Sequence, residues 1–501
     1  MSETYYDVVI IGAGLSGVGA AVHLGRDCPD KSIALFESRD NIGGTWDLFR
    51  YPGIRSDSDM FTLGYNFKPW RNEQSIADGS LIRKYITDAA DENRIVEKIQ
   101  FSQRIVNAQW CSEEQCWSLQ VVHQHSGDTR IVKAGFVMAC TGYYNYQSGY
   151  EPKFEGREEF SGEVIHPQQW PENYDYSGKR VVIIGSGATA VTLAPAMADK
   201  AAQVTMLQRS PSYVMSRPKV DSRIKAWREQ FSPKIHYRLA RAKNLVMQFL
   251  VYKFCQFFPG KARSIIEGEA AKAIGPEVDI KHFSPKYNPW DERLCAVTDN
   301  DLFNCVRDGS VIMKTDHIER FTTDGILLKS GKQLKTDVIV TATGLDLQLL
   351  GGMSLSVDGQ PFDLTEKMVY RELFLEDLPN FGFVFGYTSA SWTLKADMAM
   401  HYVGRLLKYM EKKTLQSVTP KNTGGDPGGL PFSDMQSGYM MRSRDKMPLR
   451  GHSLPWRIHH NYALDFLMFR YSRINDGKLI FSKMNENRST QVKPASTAVE
   501  V

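Results

Sequence analysis

Tyr6-Asp-Val-Val-Ile-Ile-Gly-Ala-Gly-Leu-Ser-Gly17 is the stretch whose reading decides the fold. Its first half is a short apolar run of the kind a strand buried on both faces requires. Three glycines follow in the spacing Gly12-x-Gly14-x-x-Gly17, and Val18 to Leu24 continues with helical periodicity. A second apolar run, Ser32-Ile-Ala-Leu-Phe36, ends in Glu37, twenty residues past the third glycine. Strand, glycine turn, helix, strand and acid in that order form the full dinucleotide-binding fingerprint. Gly12 makes the tight turn, Gly14 lets the backbone approach a pyrophosphate, and Gly17 allows helix and strand to pack closely. The helix N-terminus, with Ser16 in its first turn, offers amides and a dipole that favour negative charge. Glu37 can accept hydrogen bonds from a ribose.

The pattern recurs downstream. Lys179-Arg-Val-Val-Ile-Ile184 is a second buried strand, followed by Gly185-Ser186-Gly187-Ala188-Thr189-Ala190 and then Val191. Alanine is permitted at the third glycine position. The next strand, Gln203 to Gln208, ends in Arg209-Ser210 where an acid would hold a free 2′-hydroxyl. Arginine and serine suit a 2′-phosphate instead, so this unit reads as taking NADPH over NADH. Phe136 to Gly142 and Asp337 to Gly344 are buried runs that both end in Thr-Gly, and they resemble the strand ends at which the chain crosses between domains in two-dinucleotide-binding flavoproteins. The expected fold is α/β, with two Rossmann-like domains. Residues 1–145 and 341–490 build the first, and 146–340 the second, which carries a helical insertion at about 219–285. Residues 491–501 read as a disordered tail.

Composition narrows the classes. The chain has 501 residues, 42% hydrophobic and 24% charged, with a net charge of +4. That is ordinary for a globular protein of two or three domains and too weakly basic to argue for nucleic acid, for which no recognition motif is present. Seven cysteines, an odd number, and an N-terminus that runs straight into a strand fit free thiols in the cytoplasm. Cys111 and Cys116 have the Cys-x4-Cys spacing of flavin disulfide reductases, but that family places the pair after the first unit's Gly-Gly turn. Here the turn reads Gly43-Gly-Thr-Trp46, so the pair is read as part of a hairpin. The insertion is helical and rich in lysine and arginine. Its run Leu245 to Phe258 is strongly apolar but shorter than the ~20 residues that span a bilayer. It is read as a cap on the nucleotide domain, with contact at a membrane surface as the second reading. No metal site is expected.

Between the two glycine turns lies Phe160-Ser-Gly-Glu-Val-Ile-His-Pro-Gln-Gln-Trp-Pro171, broken by two prolines and fitted to join two nucleotide units. It resembles the fingerprint of type I Baeyer–Villiger monooxygenases, F-x-G-x-x-x-H-x-x-x-W-P/D, with Phe160, Gly162, His166, Trp170 and Pro171 at the fixed places. Gly43 to Asp57 resembles a second signature of these enzymes through Gly44, Trp46, Tyr51, Pro52, Gly53 and Asp57. Thr45 to Met60 and Tyr143 to Tyr146 are similar to the ethionamide-activating type. The resemblance implies FAD on Gly12, Gly14, Ser16, Gly17, Glu37, Gly44, Thr45, Trp46, Asp47 and Asp57, with Ile105 beside the adenine. It implies NADPH on Arg55, Ser56, Asp57, His166, Trp170, Gly185, Ser186, Gly187, Ala188, Thr189, Ala190, Val191, Arg209 and Ser210. It also implies an active-site arginine, placed on Arg293 and oriented by Asp57, as the fixed positive charge beside the flavin. Leu378 to Gly386 followed by Tyr387 to Asp397 reads as strand, loop and helix, with the helix N-terminus aimed at the flavin pyrimidine. The implied activity is insertion of one oxygen atom from O2 next to a ketone carbonyl, giving an ester or lactone, with oxygenation of sulfides or thioamides at sulfur beside it. The alternatives are a flavin monooxygenase acting only on nitrogen or sulfur, and a membrane-associated flavoprotein without catalysis.

Overall fold

The structure, a computed structural model, describes residues 4–292, 294–387 and 390–483. Arg293, Thr388, Ser389 and the expected C-terminal tail lie outside the described residues.

The first sheet grows from β1 (Thr4–Ile11), which is followed by α1 (Leu15–Asp27) and β2 (Ile33–Phe36). Val8, Val9 and Ile10 are wholly buried, which is why this strand carries no polar alternation. Two short helices, α2 (Thr45–Leu48) and α3 (Met60–Leu63), and the longer α4 (Gly79–Glu92) come next. Then follow β3 (Ile99–Gln100), β4 (Gln103–Cys111), β5 (Cys116–His123) and β6 (Thr129–Ala139). β6, β1, β2 and β3 lie side by side in parallel, the arrangement of a nucleotide-binding sheet. β5 and β4 extend it as an antiparallel hairpin in which Cys111 faces Cys116, and all seven cysteines are free.

The second sheet contains β7 (Glu163–Ile165), β8 (Arg180–Ile184) and β9 (Gln203–Gln208), with α5 (Ala188–Ala198) between the last two. β10 (Tyr213–Arg217) leads into α6 (Ser222–Gln230), α7 (Pro233–Phe257) and α8 (Pro259–Ile274), and the chain returns along β11 (Leu294–Thr298) in parallel with β10. α9 (Asp301–Arg307) and β12 (Val311–Thr315) follow, then a three-stranded antiparallel piece, β13 (Ile318–Thr322), β14 (Gly325–Leu328) and β15 (Gln333–Lys335). With β16 (Val338–Thr341) the second sheet is complete, all parallel, in the order β12-β9-β8-β16-β7. The chain then rejoins the first sheet. The strand Phe381–Phe383 pairs in parallel with the C-terminal half of β6, and α10 (Trp392–Lys412) packs on α1. The two expected Rossmann-like units are therefore present.

The two crossings between the sheets run past each other and bond. The amide of Asn145 donates to the carbonyl of Asp346 at 2.9 Å, that of Tyr150 to Gly344 at 3.0 Å, and that of Gln348 to Tyr143 at 3.0 Å. The segment Phe160 to Pro171 is seated on this joint. Gln168 Nε2 donates to the Asn145 carbonyl at 2.6 Å, and His166 Nε2 lies 3.3 Å from the Gly344 carbonyl. The His166 ring fills the space over Gly149 so closely that a Cβ there would sit 2.0 Å from it. His166 on Gly344 and Gln168 on Asn145 thus tie this segment to both crossings.

Candidate functional site

One cavity of about 340 Å³ lies between the two units. Gly14, Ser16, Gly44 and Thr45 wall it from the first, and Ala188 and Thr189 from the second. The first wall is made by close approach of two glycine stretches. Gly12, at φ +102°, leaves its turn so tight that a Cβ would stand 2.7 Å from the Cys140 carbonyl, and one on Gly17 would stand 1.8 Å from the Gly12 carbonyl. Glu37 closes this turn from below. Its carboxylate accepts from the amides of Ala13 at 2.6 Å and Arg39 at 3.0 Å. Burial pushes its pKa up against the pull of those bonds.

Asp47 secures the loop behind Gly43 and Gly44. It is 1% exposed and gathers Arg39 at 2.7 Å, Arg83 at 3.0 Å and Arg50 at 3.2 Å. Burial opposes its ionisation, but the bonds and charge of Arg39, supported by Arg83 and Arg50, outweigh that and hold its pKa below the ordinary value. Its carboxylate serves the loop and does not line the cavity. Trp46, half-buried, does.

The loop of the second signature forms the rim. Arg55 pairs with Asp301, at the start of α9, at 2.5 Å, and its Nη2 is left buried without a hydrogen-bond partner at the cavity wall. Ser56 is buried and its hydroxyl accepts from the Ser58 amide. Asp57 is exposed on the rim. The placing of Asp57 against Arg293 lies outside the described residues.

The second turn is more open. Gly185 is tight against the Ala342 carbonyl, 2.3 Å from a Cβ position, but a Cβ on Gly187 would meet nothing within 4 Å. The Ser186 hydroxyl accepts from Ser212 at 3.1 Å. Ala190 and Val191 are wholly buried on the packing side of α5. Arg209 and Ser210 are exposed at the C-terminal end of β9, where the sequence puts them. Neither α1 nor α5 has a side-chain cap or an acid in its first turn, so both leave their leading amides available to an anion.

His166, Trp170 and Ile105 also stand away from the cavity wall. His166 is under the crossings, where burial pushes its pKa down. Trp170 packs edge-on against Tyr174 and Tyr176. Ile105 points into the core of the first sheet, beside an irregularity in the β4–β5 register.

The cavity also takes residues that sequence reasoning did not single out. Trp392, the first residue of α10, donates from Nε1 to Ser16 Oγ at 2.7 Å and stacks on Tyr143 at 5.2 Å. The expected helix is therefore there, with its first residue on the cavity wall. Tyr387 lines the same wall and donates to Asp465 at 2.6 Å. From α7 come Val251 and Gln248, whose Oε1 is buried without a partner. Arg442 stands near enough to Arg209 for their charges to repel. Trp392 was legible as an aromatic opening an apolar helix. The others come from insertion and C-terminal segments that carry no motif.

Comparison with known proteins agrees with this construction. Residues 65–351 match the flavin-binding monooxygenase-like family model, and residues 10–71 match an NAD(P)-binding Rossmann-like domain. The chain is 46% identical over 481 residues to the FAD-containing monooxygenase EthA of Mycobacterium tuberculosis (strain ATCC 25618 / H37Rv), covering 96% of this chain and 98% of that one. It has the same identity to EthA of Mycolicibacterium smegmatis, covering 96% and 97%. A solved oxidised steroid monooxygenase bound to NADP shares the fold, with a TM-score of 0.74, 20% identity and coverage of 96% and 100%. The chain belongs to the flavin-binding monooxygenase-like family, and it is a flavin-dependent monooxygenase.

Proposed function

We propose that the protein is a Baeyer–Villiger monooxygenase that inserts one oxygen atom from O2 next to a ketone carbonyl, using FAD and NADPH. The observation that carries this reading is the single cavity walled by both glycine turns. Two cofactors bound on those turns would meet in one chamber, which hydride transfer between them requires.

The residues fit the two groups. Gly12, Gly14, Ser16 and Gly17 would take the FAD pyrophosphate, with Glu37 holding the turn that supports it. Gly44, Thr45 and Trp46 would lie along the flavin, and Asp47 would fix their loop. Ile105 would stand beneath the adenine as packing. Gly185, Ser186, Gly187, Ala188 and Thr189 would take the NADPH pyrophosphate, and Ala190 and Val191 would pack α5 on its sheet. Arg209 and Ser210 would bind the 2′-phosphate, with Arg442 as a second cation near it. Arg55, Ser56 and Asp57 would face the nicotinamide. The unpartnered Nη2 of Arg55 and Oε1 of Gln248 are a donor and an acceptor in want of a ligand at that wall. His166 would act at a distance, by fixing the crossings, and Trp170 by packing on Tyr174 and Tyr176.

When bound, FAD supplies the redox and oxygen-activating chemistry, with NADPH as its reductant. The protein's part is to position, to exclude water and to place charge. Trp392, Tyr143 and Trp46 shield the chamber with aromatic surface. A guanidinium at Arg293 would favour negative charge on the reacting oxygen, because it stays protonated. Oxygenation of sulfides or thioamides would follow from the same chamber.

Purified enzyme supplied with NADPH, O2 and a linear aliphatic ketone should yield an ester heavier by about one oxygen atom, with NADPH consumed in equal amount. Arg293→Ala should still oxidise NADPH but form no ester. Ester formation by that variant at the wild-type rate would remove Arg293 from the mechanism. Sulfoxides formed readily, with no ester from any ketone, would favour the nitrogen- and sulfur-oxygenating alternative.

A further inference from the structure

α7 is apolar on two opposite sides. Its inner side buries Tyr237, Ala240 and Cys255 and sends Gln248 and Val251 to the cavity. On its outer side Ile235, Leu239, Val246, Phe249, Leu250 and Phe257 are all exposed, Val246 at 57% and Phe257 at 71%. At 100° per residue these six fall within an arc of about 100°, one continuous stripe. An amphipathic helix of a globular protein turns its polar side outward, so an exposed apolar stripe of this length calls for an occupant.

The charges around the stripe say which. From Phe231 to Ile266 there is no aspartate or glutamate, while Lys234, Arg238, Arg241, Lys243, Lys253, Lys261 and Arg263 are present. Arg241 and Lys243 are engaged inward with Asp397 and Asp221. Among the described residues no ion pair engages Lys234, Arg238, Lys253 or Lys261. Lys253 rises from the middle of the stripe and lies over the rings of Phe249, Tyr252 and Phe257 at 5.8 to 6.0 Å, the posture of a cation carried on an apolar surface. A second copy docked here would set cations against cations. An anionic lipid surface would receive both the apolar stripe and the bases. Among the described residues no helix is long and apolar enough to cross a membrane, so the helix would lie on the surface.

We propose that the outer face of α7 docks on an anionic lipid bilayer, which would set the α7 wall of the cavity against the lipid. On the monooxygenase reading above, the chamber would then draw lipid-soluble substrates from the bilayer.

Flotation of the full-length protein with vesicles tests the docking without depending on turnover. With vesicles of phosphatidylcholine and phosphatidylglycerol at about 7:3, the protein should float at least about tenfold better than with phosphatidylcholine alone, and high salt should reduce the difference. The triple variant Val246→Ser, Leu250→Ser, Phe257→Ser should lose flotation while its NADPH oxidation in solution is unchanged. Lys234→Glu with Lys253→Glu, which leaves the apolar stripe intact, should lose the preference for anionic vesicles. Absence of flotation by the wild type, or flotation of both variants on anionic vesicles equal to the wild type's, would overturn the proposal. So would a dimer in solution that the triple variant disperses, since the stripe would then be an interface between copies. Flotation without any oxygenated product would keep the docking and remove only the substrate part.

Discussion

The two glycine turns share a motif and differ in how they are built. The first is braced at three points. Gly17 has no room for a methyl group, Glu37 clamps the Ala13 amide, and Trp392 reaches across from α10 to bond Ser16. The second is closed only at Gly185. Gly187 faces open space, and Arg209 stands exposed at the strand end where the first turn has a buried acid. The first construction suits a ligand that stays through many turnovers. The second suits one that arrives, reacts and leaves. The proposed placing of a prosthetic flavin on the first turn and a nicotinamide cosubstrate on the second calls for this division of labour.

Substitutions that exchange the properties of the two turns would break or sharpen this contrast. The largest effect is expected at the first turn. Gly17→Ala forces a methyl group into the Gly12 carbonyl, a backbone clash costing on the order of 3 kcal/mol, so flavin content should fall by about tenfold or more. Gly187→Ala, at the middle glycine of the second turn where a Cβ meets nothing within 4 Å, should leave flavin content intact and change the KM for NADPH by less than about threefold. Equal losses in the two variants would erase the distinction. Next is Arg209→Ala, which removes a charge-assisted contact worth roughly 1.5–3 kcal/mol. The KM for NADPH should rise by about tenfold while that for NADH is unmoved, and an unchanged preference would take Arg209 out of the site.

The smallest effect concerns stability rather than binding. Burial, aided by Lys395, pushes the pKa of His460 down to about 4, and neither ring nitrogen has a hydrogen-bond partner. The unfolded chain takes up a proton below about pH 6.5 that the folded chain refuses until about pH 4. Stability contributed by the neutral ring is therefore complete above pH 6.5 and lost on acidification across that window, on the order of 1–3 kcal/mol. His460→Asn, tolerable at this residue's φ of +46°, should flatten the acid limb of chemical denaturation curves. An unchanged acid limb would show that His460 titrates normally.

Much of this was legible in the sequence, for identifiable reasons. Fully buried strands, tight glycine turns and the Thr-Gly strand ends are local constraints, so β1, α1, β8 and α5 could be read from spacing alone. Asp47 was read toward the flavin, yet its carboxylate is consumed by three arginines drawn from residues 39, 50 and 83. His166 was read toward NADPH, yet its ring lies between Gly149 and Gly344. In both cases the motif marked the position and long-range contacts chose the task. The cavity's outer wall was less legible still. Gln248 and Val251 sit on a helix that is apolar on both sides, and such a pattern does not say which side faces inward.

If both turns serve one chamber, NADPH should reduce the flavin of the purified holoenzyme when the two are mixed without oxygen. The yellow flavin absorbance should bleach to completion with one NADPH consumed per flavin, and NADH should do this far more slowly. A flavin that stays oxidised under saturating NADPH would contradict the shared chamber.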